Sequence, residues 1–159
     1  MTIAVANLDD STRCARILCV GDHVASLLEI QYQLDTDFDF VIVGCSGEGI
    51  AALAAEAPFD VIINDCDMQG VGGQQFLESL HAHSPDAERL ILAPRNHVSA
   101  RAMAASDARV MRLLHPRCPA AVLREAVADA LLRHRARGLR AACTRVTAAA
   151  YHRGQASFR

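Results

Sequence analysis

Two aspartates sit where a carboxylate could do chemistry. Asp65 closes the apolar run Val61, Ile62, Ile63 and Asn64, and Asp22 closes the run from Ile17 to Val20 some forty residues earlier. Carboxylates at the C-terminal ends of two buried parallel strands meet in one crevice of an α/β sheet, where such folds carry their ligand sites. A carboxylate there can attack phosphorus, provided a hard dication held by oxygen ligands neutralises the phosphoryl oxygens. The pair therefore points to phosphoryl-accepting chemistry with Asp65 and Asp22 at its centre. Cys66, next to Asp65, is the one thiol placed to make such a site redox-sensitive.

The elements that must position these residues alternate along the chain. Arg16 to Val20 reads as a buried strand and Val24 to Leu34 as an amphipathic helix, with Leu27, Leu28 and Ile30 or Gln31 bracketing its apolar face. A second strand runs from Phe38 to Val43, and Ser46 starts a helix through Ala55. Phe59 to Asn64 is the third strand, and a loop with Gly70, Gly72 and Gly73 leads into a helix from Gln74 to His83. Leu90 to Ala93, Val98 to Ala105 and Arg109 to Leu114 continue as strand, helix and strand. Pro119 opens a last helix to about Arg137, where its missing N–H costs nothing. Five apolar strands each followed by a helix demand a parallel sheet covered on both faces.

Gly138 reads as the stop of that last helix, after which Leu139, Ala142, Cys143, Val146 and Ala150 recur at helical spacing. The stretch is either a continuation of the helix or a helix that pairs with its counterpart in a second subunit. The chain thus divides into an N-terminal lead (1–13), a body (14–137) and a basic tail or helical linker (138–159).

A length of 159 residues suits one domain. Hydrophobic residues make up 52 %, yet no apolar run approaches the roughly 18 residues that cross a bilayer. The first ten residues carry two acids and no base, unlike a secretion signal, so a cytoplasmic protein is expected. The six cysteines are scattered, without C-x-x-C or zinc-like spacing, and read as reduced thiols. All 16 basic side chains are arginine, which excludes a catalytic lysine. Up to residue 132 nine arginines face all 18 acids, whereas seven arginines and no acid follow. An acidic body with a basic tail is a partner-binding layout, or a linker that once led to an output domain.

Ile17 to Asp22, Asp60 to Gly70 and His115-Pro116 together resemble the receiver domain of two-component response regulators, a likeness covering about residues 14 to 135. The resemblance implies a flavodoxin-like (βα)5 sandwich, a three-layer α/β fold with a parallel sheet of order 2-1-3-4-5. It makes Asp65 the phosphoacceptor, served by a histidine kinase, and Asp22 a direct ligand of Mg2+. Asp67 falls where the family ligates the metal through a backbone carbonyl. The chain departs from the family at Gly21 (an acid), Ala93 (a switch hydroxyl), His115 (a lysine), Arg112 (a switch aromatic) and Gln69 (a proline). Loss of one carboxylate weakens the metal site, and loss of the hydroxyl weakens the response more than the chemistry. The resemblance thus implies a degenerate receiver, not an enzyme, that signals by protein contact. Homodimerisation is expected through the face of the fourth helix, fifth strand and fifth helix, where Arg112 lies.

Other readings compete with these. Asp65-Cys66-Asp67 is also similar to the D-x-D of haloacid-dehalogenase-type phosphatases, but that fold needs a later lysine. Gly44-x-x-Gly47-x-Gly49 is a reversed form of the dinucleotide spacing and is better read as a tight turn and helix start. His81, His83 and His97 read as surface histidines rather than metal ligands, and Asp35, Asp37 and Asp39 as residues of a helix-to-strand turn. The arginine tail could neutralise nucleic-acid phosphates, but no DNA-reading module accompanies it.

Overall fold

The computed structural model describes residues 14–34, 38–44, 46–66 and 73–156. Along them run β1 (Ala15–Val20), α1 (Val24–Leu34), β2 (Phe38–Val43), α2 (Ser46–Glu56) and β3 (Val61–Asp65). These are followed by α3 (Gly73–His83), β4 (Glu88–Leu92), α4 (Val98–Ser106), β5 (Val110–Leu114) and α5 (Ala120–Ala156). The strands form one parallel sheet of order β2-β1-β3-β4-β5, as expected.

Alternation along each strand feeds both faces. Ile17, Cys19, Val61 and Ile63 pack with Leu27, Ile30 and Leu34 of α1 and with Leu123, Ala126 and Val127 of α5. Leu18, Val20 and Ile62 point the other way, onto Leu53 of α2 and Phe76 and Leu80 of α3. Burial pushes the Cys19 thiol up to about 12, so it acts as a small apolar side chain. Gly49 lets α2 close on this second layer: a Cβ there would meet Phe76 Cε2 and Val20 Cγ1, each at 3.0 Å. Glu48 accepts the Gly44 N–H at 3.0 Å and so fixes the entry to α2. Gly49 thus has a packing role within α2.

Three features differ from the sequence expectation. Leu28 is exposed at 52 %, because the buried stripe of α1 is Leu27, Ile30 and Leu34, at i, i+3 and i+7. β4 starts at Glu88 rather than Leu90, since Glu88 and Arg89 are buried charges that an apolar-run criterion excludes. Arg89 forms a buried ion pair with Asp107, and burial lowers its guanidinium to about 10. Gly138 does not stop the last helix, which runs unbroken to Ala156. One glycine costs a helix only about 1 kcal/mol relative to alanine, and its neighbours here are mostly alanine, leucine and arginine.

α5 is held to the sheet just before it leaves the body. His134 Nε2 donates to Asp60 Oδ1 at 3.1 Å and its Nδ1 donates to the Asp86 carbonyl at 3.0 Å. Arg137 Nη1 lies 3.1 Å from Glu88 Oε1, a carboxylate with no solvent exposure. Beyond this clamp the side chains from Gly138 to Arg145 are exposed. Among the described residues no helix is long and apolar enough to cross a membrane.

Candidate functional site

Parallel pairing sets the ends of β1 and β3 side by side: Val20 is in register with Asn64, and Asp65 with Leu92 of β4. Gly21 then donates its N–H to Val43 O at 3.3 Å, and Cys66 donates to Leu92 O at 3.0 Å. These bonds hold the chain at the sheet's C-terminal edge, and Asp22 and Asp65 open into one cleft there. Glu29 and Ser26 of α1, Leu92, Pro116 and Arg117 complete its walls. Asp22 and Asp65 thus line one cleft.

Gly21 is buried against Asp65 and Leu27. A Cβ on it would lie 3.1 Å from Asp65 Cβ and 3.8 Å from Asp65 Oδ2. The carboxylate that the resemblance implies at this position would thus stand directly against Asp65. With glycine in its place the donor set is two carboxylates, all oxygen, which suits a small hard cation that keeps most of its water. No group of three or more His, Cys, Asp or Glu side chains able to hold a metal occurs among the described residues. Asp22 and Asp65 offer carboxylate oxygens, the ligand type that Mg2+ takes. Asp67, Met68, Gln69 and Gly70 lie outside the described residues, as do Asp35 and Asp37.

His115 is not in that cleft. It is exposed, and its Nδ1 accepts the Arg117 N–H at 3.1 Å, which puts the proton of the neutral ring on Nε2. With Ala93 and Arg112 it lines an adjoining groove between α4 and α5, over β5. Ala93 sits one residue past β4, buried, and donates its N–H to Leu114 O at 2.8 Å. Arg112 reaches Glu125 at 3.8 Å. Arg117 lines both concavities, and so shares the cleft with Asp22 and Asp65. Sequence reasoning fixed on the position following the fifth strand and missed Arg117 two residues on. The signal was present, since a chain without lysine must place an arginine wherever it needs a permanent cation.

Cys66 packs against the cluster of Ile91, Ala93 and Ala100. That apolar contact is unlike the electropositive surroundings of reactive thiols. His81 and His83 are exposed on α3, and His97 caps α4 by accepting the Ala100 N–H at 3.2 Å.

A family model described as the response regulator receiver domain matches residues 17–128. The virulence sensor protein BvgS of Bordetella pertussis is 40 % identical over 67 residues, which are 42 % of this chain and 5 % of that protein. The sensor histidine kinase GacS of Pseudomonas protegens is 39 % identical over 72 residues, 44 % of this chain and 8 % of the relative. The chain thus spans a small fraction of the sensors it matches. A crystal structure of a CheY-like response regulator receiver domain protein from Methanospirillum hungatei superposes with a TM-score of 0.69 at 19 % identity. That match covers 79 % of this chain and 99 % of the other.

Proposed function

The chain belongs to the response regulator receiver domain family, and from that membership we propose that it works in two-component signalling by protein contact, with its phosphorylation switch weakened. One observation carries the reading. Asp22 and Asp65 line one cleft, and Ala93 and His115 line a groove that adjoins it through Pro94, Arg117 and Cys118. Ala93 has no hydroxyl to follow a phosphoryl group inward, and His115 is turned to the Arg117 N–H.

Asp65 is the residue that would accept a phosphoryl group. Asp22 and Asp65, with the carbonyl of Asp67, would hold Mg2+, which would neutralise phosphoryl oxygens when bound. The sensor histidine kinase among its relatives suggests a histidine kinase as the partner. The face of α4, β5 and α5 would join two copies, and sustained turnover of substrate is not part of the role. Support for residual phosphorylation comes from Arg117, an arginine among the residues that line the acidic cleft.

Sedimentation equilibrium with and without Mg2+ and a small-molecule phosphodonor tests the proposal. The expected result is a monomer–dimer balance that the phosphodonor leaves unchanged. Dimerisation that depends on the phosphodonor and disappears in Asp65→Asn would contradict it.

A further inference from the structure

The acidic body handles its arginines in two ways. Arg16 is paired with Asp39 and Glu56, Arg89 with Asp107, and Arg109 with Asp86. Arg124 donates to the Gln33 carbonyl. Arg95, Arg101 and Arg117, in contrast, have no acid within ion-pair distance among the described residues, and Arg112 has only Glu125 at 3.8 Å. These four are not scattered. They line one groove between α4 and α5, together with His97 and His115, and among the described residues no Asp or Glu lines it.

Four of the nine arginines up to residue 132 thus line a single concavity, in a stretch that carries twice as many acids as arginines. Like charges so arranged repel one another unless an anion joins them. The groove measures ≈ 650 Å³, within the range of small-molecule sites. The rest of its lining is mostly apolar and includes Pro94, Leu114 and Val122. Planar guanidinium forks match phosphoryl oxygens in paired hydrogen bonds, whereas a lone carboxylate engages one fork at most.

We propose that this groove binds a small organic phosphate carrying at least two negative charges, its phosphates held by Arg95, Arg101, Arg112 and Arg117 and its body lying on Leu114 and Val122. The site is separate from Asp65 and needs no transfer of phosphate. Arg117, which lines both concavities, puts its occupancy next to the acidic cleft.

Isothermal titration calorimetry at low salt without Mg2+ tests this, with adenosine and guanosine triphosphates, pyrophosphate and uncharged adenosine as probes. A triphosphate is expected to bind saturably and pyrophosphate more weakly, with no heat from adenosine. Arg101→Gln with Arg112→Gln should weaken the triphosphate at least tenfold, and Asp65→Asn should leave it unchanged. Both substituted arginines are exposed or nearly so, and circular dichroism checks that the variant is folded. Absence of saturable phosphate binding, or equal binding by the double variant, overturns the proposal. So does an oligoglutamate peptide that binds through Arg101 and Arg112 when no phosphate does, which would assign the groove to an acidic protein segment.

Discussion

Gly21→Asp would restore a third carboxylate to the cleft, and its consequence can be worked out from the geometry. The new Cβ would stand 3.1 Å from Asp65 Cβ and 3.8 Å from Asp65 Oδ2. No positive φ marks Gly21, so the backbone accepts a side chain and only Asp65 has to give by a few tenths of an ångström. The two carboxylates would then sit roughly 4 Å apart, where like charges repel by about 1 kcal/mol in water and about 4 kcal/mol at an effective dielectric constant near 20. The cleft is open, so a cost of about 1–2 kcal/mol is expected without metal. For a chain of this length each kcal/mol lowers the melting temperature by roughly 2–4 °C, giving a fall of about 2–8 °C. Mg2+ at a hundredfold excess over its dissociation constant would return about 2.7 kcal/mol, enough to reverse the sign. Thermal unfolding of wild type, Gly21→Asp and the uncharged, similarly sized Gly21→Asn, each with and without MgCl2, isolates the charge from the bulk. The Asp variant should be less stable than the Asn variant without Mg2+ and gain more from the metal than either other protein. Equal melting of the two variants, with equal responses to Mg2+, would refute the reasoning.

Three further outcomes follow from the same geometry. If Asp65 accepts phosphate, Arg117→Gln should slow the mass gain from a small phosphodonor and Mg2+ more than His115→Ala does, since Arg117 and not His115 lines the acidic cleft; intact-mass time courses compare them. The hydrogen bond to Asp60 holds His134 above the ordinary imidazole value, against burial and with help from the Asp86 carbonyl. Its contribution to stability should therefore be complete below about pH 6.5 and lost as pH rises through the higher folded value, and urea unfolding across that window should lose this slope in His134→Gln. Asp107→Ala leaves Arg89 buried without its carboxylate and should cost about 3–5 kcal/mol in the same assay, whereas Arg89→Met with Asp107→Leu should cost far less.

The architecture was legible because each strand of the core is a short apolar run between turn signals, and because β1 and β3 each lead into an aspartate at the same sheet edge. Asp22 and Asp65 could be placed together from topology alone. His115 could not, because its orientation depends on a local bond to the Arg117 N–H rather than on any pattern of residue types. Glu88 and Arg89 were passed over as strand residues because their burial depends on partners distant in sequence, Arg137 and Asp107. Gly138 was read as a stop from its type, whereas the helix around it is set by neighbours with high helix propensity. The groove of arginines was invisible for a related reason. Arg95, Arg101, Arg112 and Arg117 come from a loop, a helix, a strand and another loop, and only the fold gathers them.

The measurement that tests the central claim most directly is a pair of amide correlation spectra, with and without Mg2+ and the phosphoryl mimic beryllofluoride. If the cleft is uncoupled from the α4–β5 face, shifts will be confined to residues around Asp22 and Asp65, and the amides of Arg101, Arg112 and Leu113 will stay in place. Movement of those amides in wild type, absent in Asp65→Asn, would contradict the account and reveal a working switch.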